Sequence, residues 1–191
     1  AQIKELGTVL TEVEAQTREL EARSAKLPLL RAAGPAGYVV CVESPMTKVR
    51  PDRPYIGKPT QEARVYLARN EYEATQLVVV PLRESLQKVA VSVTDLTGPD
   101  RAVLPASDIQ INRVGYVHVK QSSGGATMEP GMLPDPLLDN EPVDVDRTAV
   151  QSWWITVYAG DQQRPGWYRG EIRVRPRNAP ETRLRLMVRV W

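Results

Sequence analysis

One imidazole, His118, and one thiol, Cys41, are all that this chain of 191 residues offers of either group. These counts exclude a zinc site assembled from His and Cys, a disulfide within the chain and any mechanism that needs two histidines. A nucleophile activated by a base could use only His118. That residue lies in the alternating segment Gly115-Tyr-Val-His-Val-Lys120, on the same side as Tyr116 and Lys120. The sequence has no serine elbow, phosphate-cradling glycine loop or dinucleotide fingerprint, and His118 reads as an ordinary strand histidine. Two carboxylates suffice for glycoside hydrolysis, but the acids are concentrated in one loop-like stretch, not at strand ends. No catalytic residue is assigned to the chain by itself.

That stretch carries Asp135, Asp139, Glu141, Asp144 and Asp146. Several carboxylates on a loop could ligate calcium. The glycine of a helix-loop-helix calcium site is missing, and Pro142 interrupts the spacing, so a solvated or partner-facing loop is the simpler expectation. No metal or other cofactor is assigned.

Aromatic mass rests on four Trp and seven Tyr, with no Phe. Trp153 and Trp154 are adjacent in a strand-like run, so one faces a core and the other faces outward. Trp167 and Tyr168 repeat this after Pro165-Gly166. Outward aromatic faces can stack on sugar rings, which makes Trp154, Trp167 and Tyr116 candidate carbohydrate contacts; bracing a core or loop is the plainer role. From Gln163 onward there are eight Arg against only Glu171 and Glu181. Arg173 and Arg175 alternate with apolar residues, as do Arg183, Arg185 and Arg189, so a hairpin of two strands would show an arginine face. Like charges repel across a ladder, and this face should seek an anionic partner. The acidic loop, an adjoining domain and an anionic polysaccharide are the options. A net charge of +2 and the lack of a stacking set among these arginines argue against nucleic acid.

The elements that must position these groups follow from periodicity. With 42% apolar and 25% charged residues the chain can form a packed core. No apolar run reaches the roughly 20 residues of a membrane helix. Ile3, Leu6, Leu10, Val13, Thr17, Leu20, Ser24 and Leu27 follow a heptad, predicting an amphipathic helix within residues 1–31 that ends near Pro28. Its stripe could pack on its own domain or a neighbour, or residues 3–27 could associate between copies. Residues 32–37 read as a linker. Residues 38–191 then show period two, with strands predicted over 38–43, 63–68, 74–82, 88–95, 109–120, 150–159, 167–175 and 183–191. Eight strands without a second helix predict an all-β fold, an antiparallel β-sandwich. Residues 45–59 and the long stretch 121–148, with Gly124-Gly125 and four prolines, read as loops, the latter functional or set against another domain. The opening Ala1-Gln2 fits either a removed signal peptide or a segment of a longer chain, and the last predicted strand runs to Trp191. A secreted or periplasmic location is the matching expectation.

Five segments come in a telling order: Arg69-Asn-Glu-Tyr-Glu-Ala-Thr-Gln-Leu-Val78, Val114-Gly-Tyr-Val117, Pro134-Asp-Pro-Leu-Leu138, Trp154-Ile-Thr-Val157 and Pro165-Gly-Trp-Tyr-Arg-Gly170. Together they resemble the N-terminal β-sandwich domain of family 123 glycoside hydrolases and their uncharacterised relatives, over roughly residues 38–191. In that family the sandwich precedes a (β/α)8-type barrel, whose adjacent Asp-Glu pair hydrolyses N-acetylgalactosaminides with help from the substrate acetamido group. This sequence has no Asp-Glu dipeptide, so those catalytic residues map to no position here. The resemblance implies a non-catalytic module that packs on a downstream catalytic domain of the same polypeptide. Asp135, Leu137, Arg173, Arg175 and Arg185 are the candidate interface residues. An autonomous glycan-binding module and an assembly component are the other readings.

Overall fold

The computed structural model describes residues 2–120 and 130–191. A helix α1 (Gln2–Ala33) leads into twelve strands among the described residues. They are β1 (Tyr38–Glu43), β2 (Glu62–Leu67), β3 (Glu71–Pro81), β4 (Leu86–Val93), β5 (Leu96–Thr97) and β6 (Val103–Leu104). The remainder are β7 (Ile109–Val119), β8 (Gly131–Leu138), β9 (Val143–Val145), β10 (Gln151–Ala159), β11 (Gly166–Arg175) and β12 (Thr182–Val190). One sheet has the order β1-β3-β10-β7-β8; the other runs β2-β12-β11-β4-β9, with the short β5 beside β11 and β6 paired to β5. This is the expected all-β sandwich.

Alternation along each strand explains the two layers. Leu77, Val79, Trp153, Ile155 and Val157 of the first sheet meet Tyr168, Ile172, Val174, Leu184, Leu186 and Val188 of the second in one buried core. β3 is apolar on both faces from Leu77 to Val80 because both are covered. Val78 and Val80 point away from the core, into a second cluster with Val39, Cys41, Val49, Val150 and the helical residues Leu29 and Ala33.

The structure departs from the sequence reading in three places. The helix does not end at Pro28: α1 runs through Pro28 to Ala33, into the stretch 32–37 read as a linker, where a 3-10 turn covers Gly34–Ala36. A proline inside a helix costs about 3 kcal/mol. Burial of Leu29 contributes roughly 1.5–3 kcal/mol, and Ala33 and the Lys26 ammonium, donating to the Arg147 carbonyl at 2.7 Å, hold the same turns. Leu10, Val13, Leu20 and Leu27 of the heptad stripe are exposed on the single chain.

Second, β2 pairs with β12 in parallel, whereas an antiparallel sandwich was expected. The chain crosses from the first sheet to the second through residues 44–61. A strand arriving by such a crossover is not bound to antiparallel pairing as a hairpin partner is.

Third, the stretch read as one loop over 121–148 contains β8 and β9. β8 pairs with β7, and β9 pairs with β4 at the sheet edge. Prolines at 134 and 136 obscured the strand, but at an edge the missing N–H groups are tolerated. Gly124-Gly125 lies outside the described residues. Among the described residues no helix is long and apolar enough to cross a membrane.

Candidate functional site

Three of the residues singled out from sequence meet in one pocket on the outer side of the first sheet. Trp154 lies on β10, in register with Gln76 of β3 on one side and Asn112 of β7 on the other. Val114 comes from β7, and Pro134, Asp135 and Leu137 from β8. Pro45, Thr47 and Lys48 close the remaining side, around a volume of about 330 Å³. A second cleft of about 450 Å³ lies under residues 47–57 and shares Thr47 and Lys48 with the first.

Each wall is held from below. Gln76 is only 2% exposed, and its side-chain amide donates to the Ser44 carbonyl at 2.8 Å and the Thr47 carbonyl at 2.7 Å. This ties the loop after β1 to the sheet; sequence pattern did not single out Gln76 for that task. The Asn112 amide donates to the Leu138 carbonyl at 3.3 Å, and the Gln151 amide donates to the Val114 carbonyl at 2.8 Å.

The start of β8 is held by an Arg50–Asp52 pair at 2.9 Å. Arg50 also donates to the Pro130 carbonyl at 2.8 Å, and Asp52 accepts the Met132 N–H at 2.9 Å. Chiefly through the Arg50 hydrogen bond, Asp52 is kept below the usual carboxylate range. Gly131, at φ +129°, passes so close to this pair that a Cβ would collide with both side chains.

Tyr116 stands beside this wall, where its hydroxyl accepts the Ser152 N–H at 3.3 Å. Burial raises its pKa. The hydroxyl is therefore engaged with β10. His118 is exposed on β7, opposite Met132.

The acidic stretch does not come together as a cation cage. Asp144 accepts the Lys88 N–H at 2.8 Å, and Asp146 accepts the N–H and hydroxyl of Thr148 at 2.7 and 2.6 Å. Among the described residues no three His, Cys, Asp or Glu converge as a metal site.

Trp167 and the arginines lie elsewhere, on the outer face of the second sheet. Register places Glu171 opposite Arg185, and Arg185 beside Glu62 of β2; Arg173 faces Arg183 directly. Among the described residues the repulsion expected from the arginines is relieved by glutamates of the second sheet and its hairpin turn. Glu62 meets Arg64 and Arg185, Glu171 meets Arg173 at 3.0 Å and Arg183 at 3.9 Å, and Glu181 meets Arg175 and Arg183.

Farther along, Trp167, Arg189 and Tyr66 form one row across β11, β12 and β2. Tyr66 meets the Trp167 ring edge-on at 5.6 Å and lies nearly parallel to Trp191 at 6.4 Å. The Arg189 guanidinium lies 5.8 Å from the Trp167 ring and 5.1 Å from that of Trp191. Gly166 makes the entry to this row. It has φ +144°, and a Cβ there would strike Pro99.

A family model described as the glycoside hydrolase 123 N-terminal domain matches residues 51–176. Among solved structures, a family 123 glycoside hydrolase from Clostridium perfringens aligns with a TM-score of 0.69 at 13% identity. The alignment covers 80% of this chain and 27% of that one, so the likeness is one of fold and reaches about a quarter of the enzyme. A GH5 xyloglucanase from Bacteroides ovatus aligns at TM-score 0.34 and 10% identity, over 69% of this chain and 17% of its own. The human CEP192 PapD-like domain aligns at 0.39 and 11% identity, over 82% and 87% of the two chains. No curated protein sequence matches the chain.

Proposed function

Starting from the fact that the chain belongs to the glycoside hydrolase 123 N-terminal domain family, we propose that it is a non-catalytic accessory domain. In this reading it packs through the pocket around Trp154 against a downstream catalytic barrel of the same polypeptide. The carrying observation is a convergence. Gln76, Val114, the trio Pro134, Asp135 and Leu137, and Trp154 come from four of the separate motifs that carry the resemblance, and they line a single pocket. Among the described residues its lining has one carboxylate, Asp135, and no imidazole, which suits docking better than two-carboxylate hydrolysis. Leu137 is exposed at the rim, where an apolar contact from a neighbour gains most. The parent protein is then a secreted or periplasmic glycosidase acting on N-acetylgalactosaminides, with its acid pair in the barrel.

Reading the gene beyond Trp191 is the first test. A barrel with an Asp-Glu pair is expected there, and a stop codon or an unrelated domain would sink the idea. In the longer protein, Leu137→Arg should lower the melting midpoint and the turnover of a chromogenic N-acetylgalactosaminide. The same substitution in residues 1–191 alone should leave melting unchanged. Hydrolysis of that substrate by residues 1–191 alone would overturn the non-catalytic reading.

A further inference from the structure

The second sheet carries a surface that the pocket does not use. Tyr66 and Trp191 are 47% and 61% exposed, and with Trp167 they flank Arg189 in a single aromatic and cationic patch. Scattered exposed aromatics need no explanation, but rings gathered around one guanidinium mark an interaction surface.

Charge on the same face narrows what binds. Arg64, Arg173, Arg175, Arg183 and Arg185 each meet a glutamate. Among the described residues Arg169 and Arg189 meet none, and these two flank Trp167, one along β11 and one across on β12. A guanidinium lying against ring faces still presents an N–H edge, which fits a carboxylate or sulfate with two parallel hydrogen bonds. Sugar rings pack their C–H groups on aromatic faces, so both halves of the patch match one ligand chemistry.

We propose that Tyr66, Trp167, Trp191, Arg169 and Arg189 form a binding platform for an acidic glycan, a saccharide whose rings carry carboxylate or sulfate. Nucleic acid fits less well. It presents a dense row of phosphates, whereas five arginines of this face are already paired with Glu62, Glu171 and Glu181, which leaves Arg169 and Arg189 as its cations without an ion pair among the described residues. The platform and the docking pocket lie on different sheets, so either can fail without the other.

Calorimetric titration of the chain with an alginate hexasaccharide, a heparin hexasaccharide and cellohexaose tests the proposal. At least one acidic ligand should bind about tenfold more tightly than neutral cellohexaose, and added salt should weaken that binding. Trp191→Ala and Arg189→Gln, both near the surface, should each lower the acidic affinity about tenfold. Arg183→Gln, at the ion-paired end, should leave it unchanged. Absence of binding by protein with native circular dichroism would overturn the proposal. An equal loss in the Arg183 variant, which marks diffuse polyanion attraction, or tighter binding of an oligothymidylate would do so too.

Discussion

Trp153 and Trp154, neighbours on β10, work on opposite sides of one sheet. Trp153 has no exposed surface and fills the core between the sheets, while Trp154 opens onto the pocket. The Trp153 indole N–H has no partner among the described residues, so the ring contributes through packing. Trp153→Ala should lower unfolding free energy by about 3–5 kcal/mol. Trp154→Ala should lower it by less than about 1 kcal/mol. Urea titration of the two variants measures both, and equal losses would contradict the division of roles.

Gln76 is the joint between the sheet and the loop that closes the pocket. Its two hydrogen bonds go to the Ser44 and Thr47 carbonyls, and its side chain is buried. Gln76→Ala leaves those acceptors without their donor and should cost about 1–3 kcal/mol. Hydrogen exchange should speed up across residues 44–48 while β10 stays protected. Uniform acceleration across the sheet would show a global effect instead.

The buried thiol sets an alkaline limit on stability. Burial pushes Cys41 up to about 11, with the Tyr55 hydrogen bond pulling the other way and the Glu43 charge adding to the rise. The folded state therefore holds its proton after the unfolded chain, near 9, has lost it. Stability is full below about pH 9 and falls as pH climbs toward about 11. The urea midpoint should drop over this window, and Cys41→Ala should flatten part of the slope. A disulfide-exchange reagent at pH 8 should modify Cys41 only after denaturant is added.

The arginine ladder works in the opposite direction on the pH scale. The Arg64 hydrogen bond holds Glu62 below the ordinary value of 4.5, with Arg185 helping, and Arg175 and Arg183 do the same for Glu181. Their stabilisation is present above pH 4.5 and is lost as pH falls through the depressed values. Carboxyl-carbon NMR titration should find both below 4.5, and Arg185→Gln should move Glu62 upward while leaving Glu181 in place. Joint movement of the two would mean that the ladder titrates as one unit.

Among the described residues, the joints between α1 and the sandwich lie in its last two turns, at Lys26, Leu29 and Ala33. Deleting residues 1–24 should shift the melting midpoint by less than about 2 °C. Sedimentation of the full and shortened chains reads the exposed stripe. A mass that falls only in the shortened chain would identify residues 3–27 as the contact between copies.

Period-two alternation was enough to read the eight principal strands, the separate duties of Trp153 and Trp154, and the arginine face of β11 and β12. Each depends on which side of a pleat a residue occupies, and neighbours along the chain decide that. The pairing of segments far apart in sequence was not legible. Glu62 reaches Arg185, Tyr66 reaches Arg189 and Trp167, and Gln76 meets Trp154 only because the order of strands in each sheet brings them together. β8 was hidden for a related reason. Its prolines suggest a loop, and only its place at the edge beside β7 makes a strand of them. Local periodicity thus determines the faces of this protein, while its pocket and aromatic row are products of sheet order and register, which long-range packing decides.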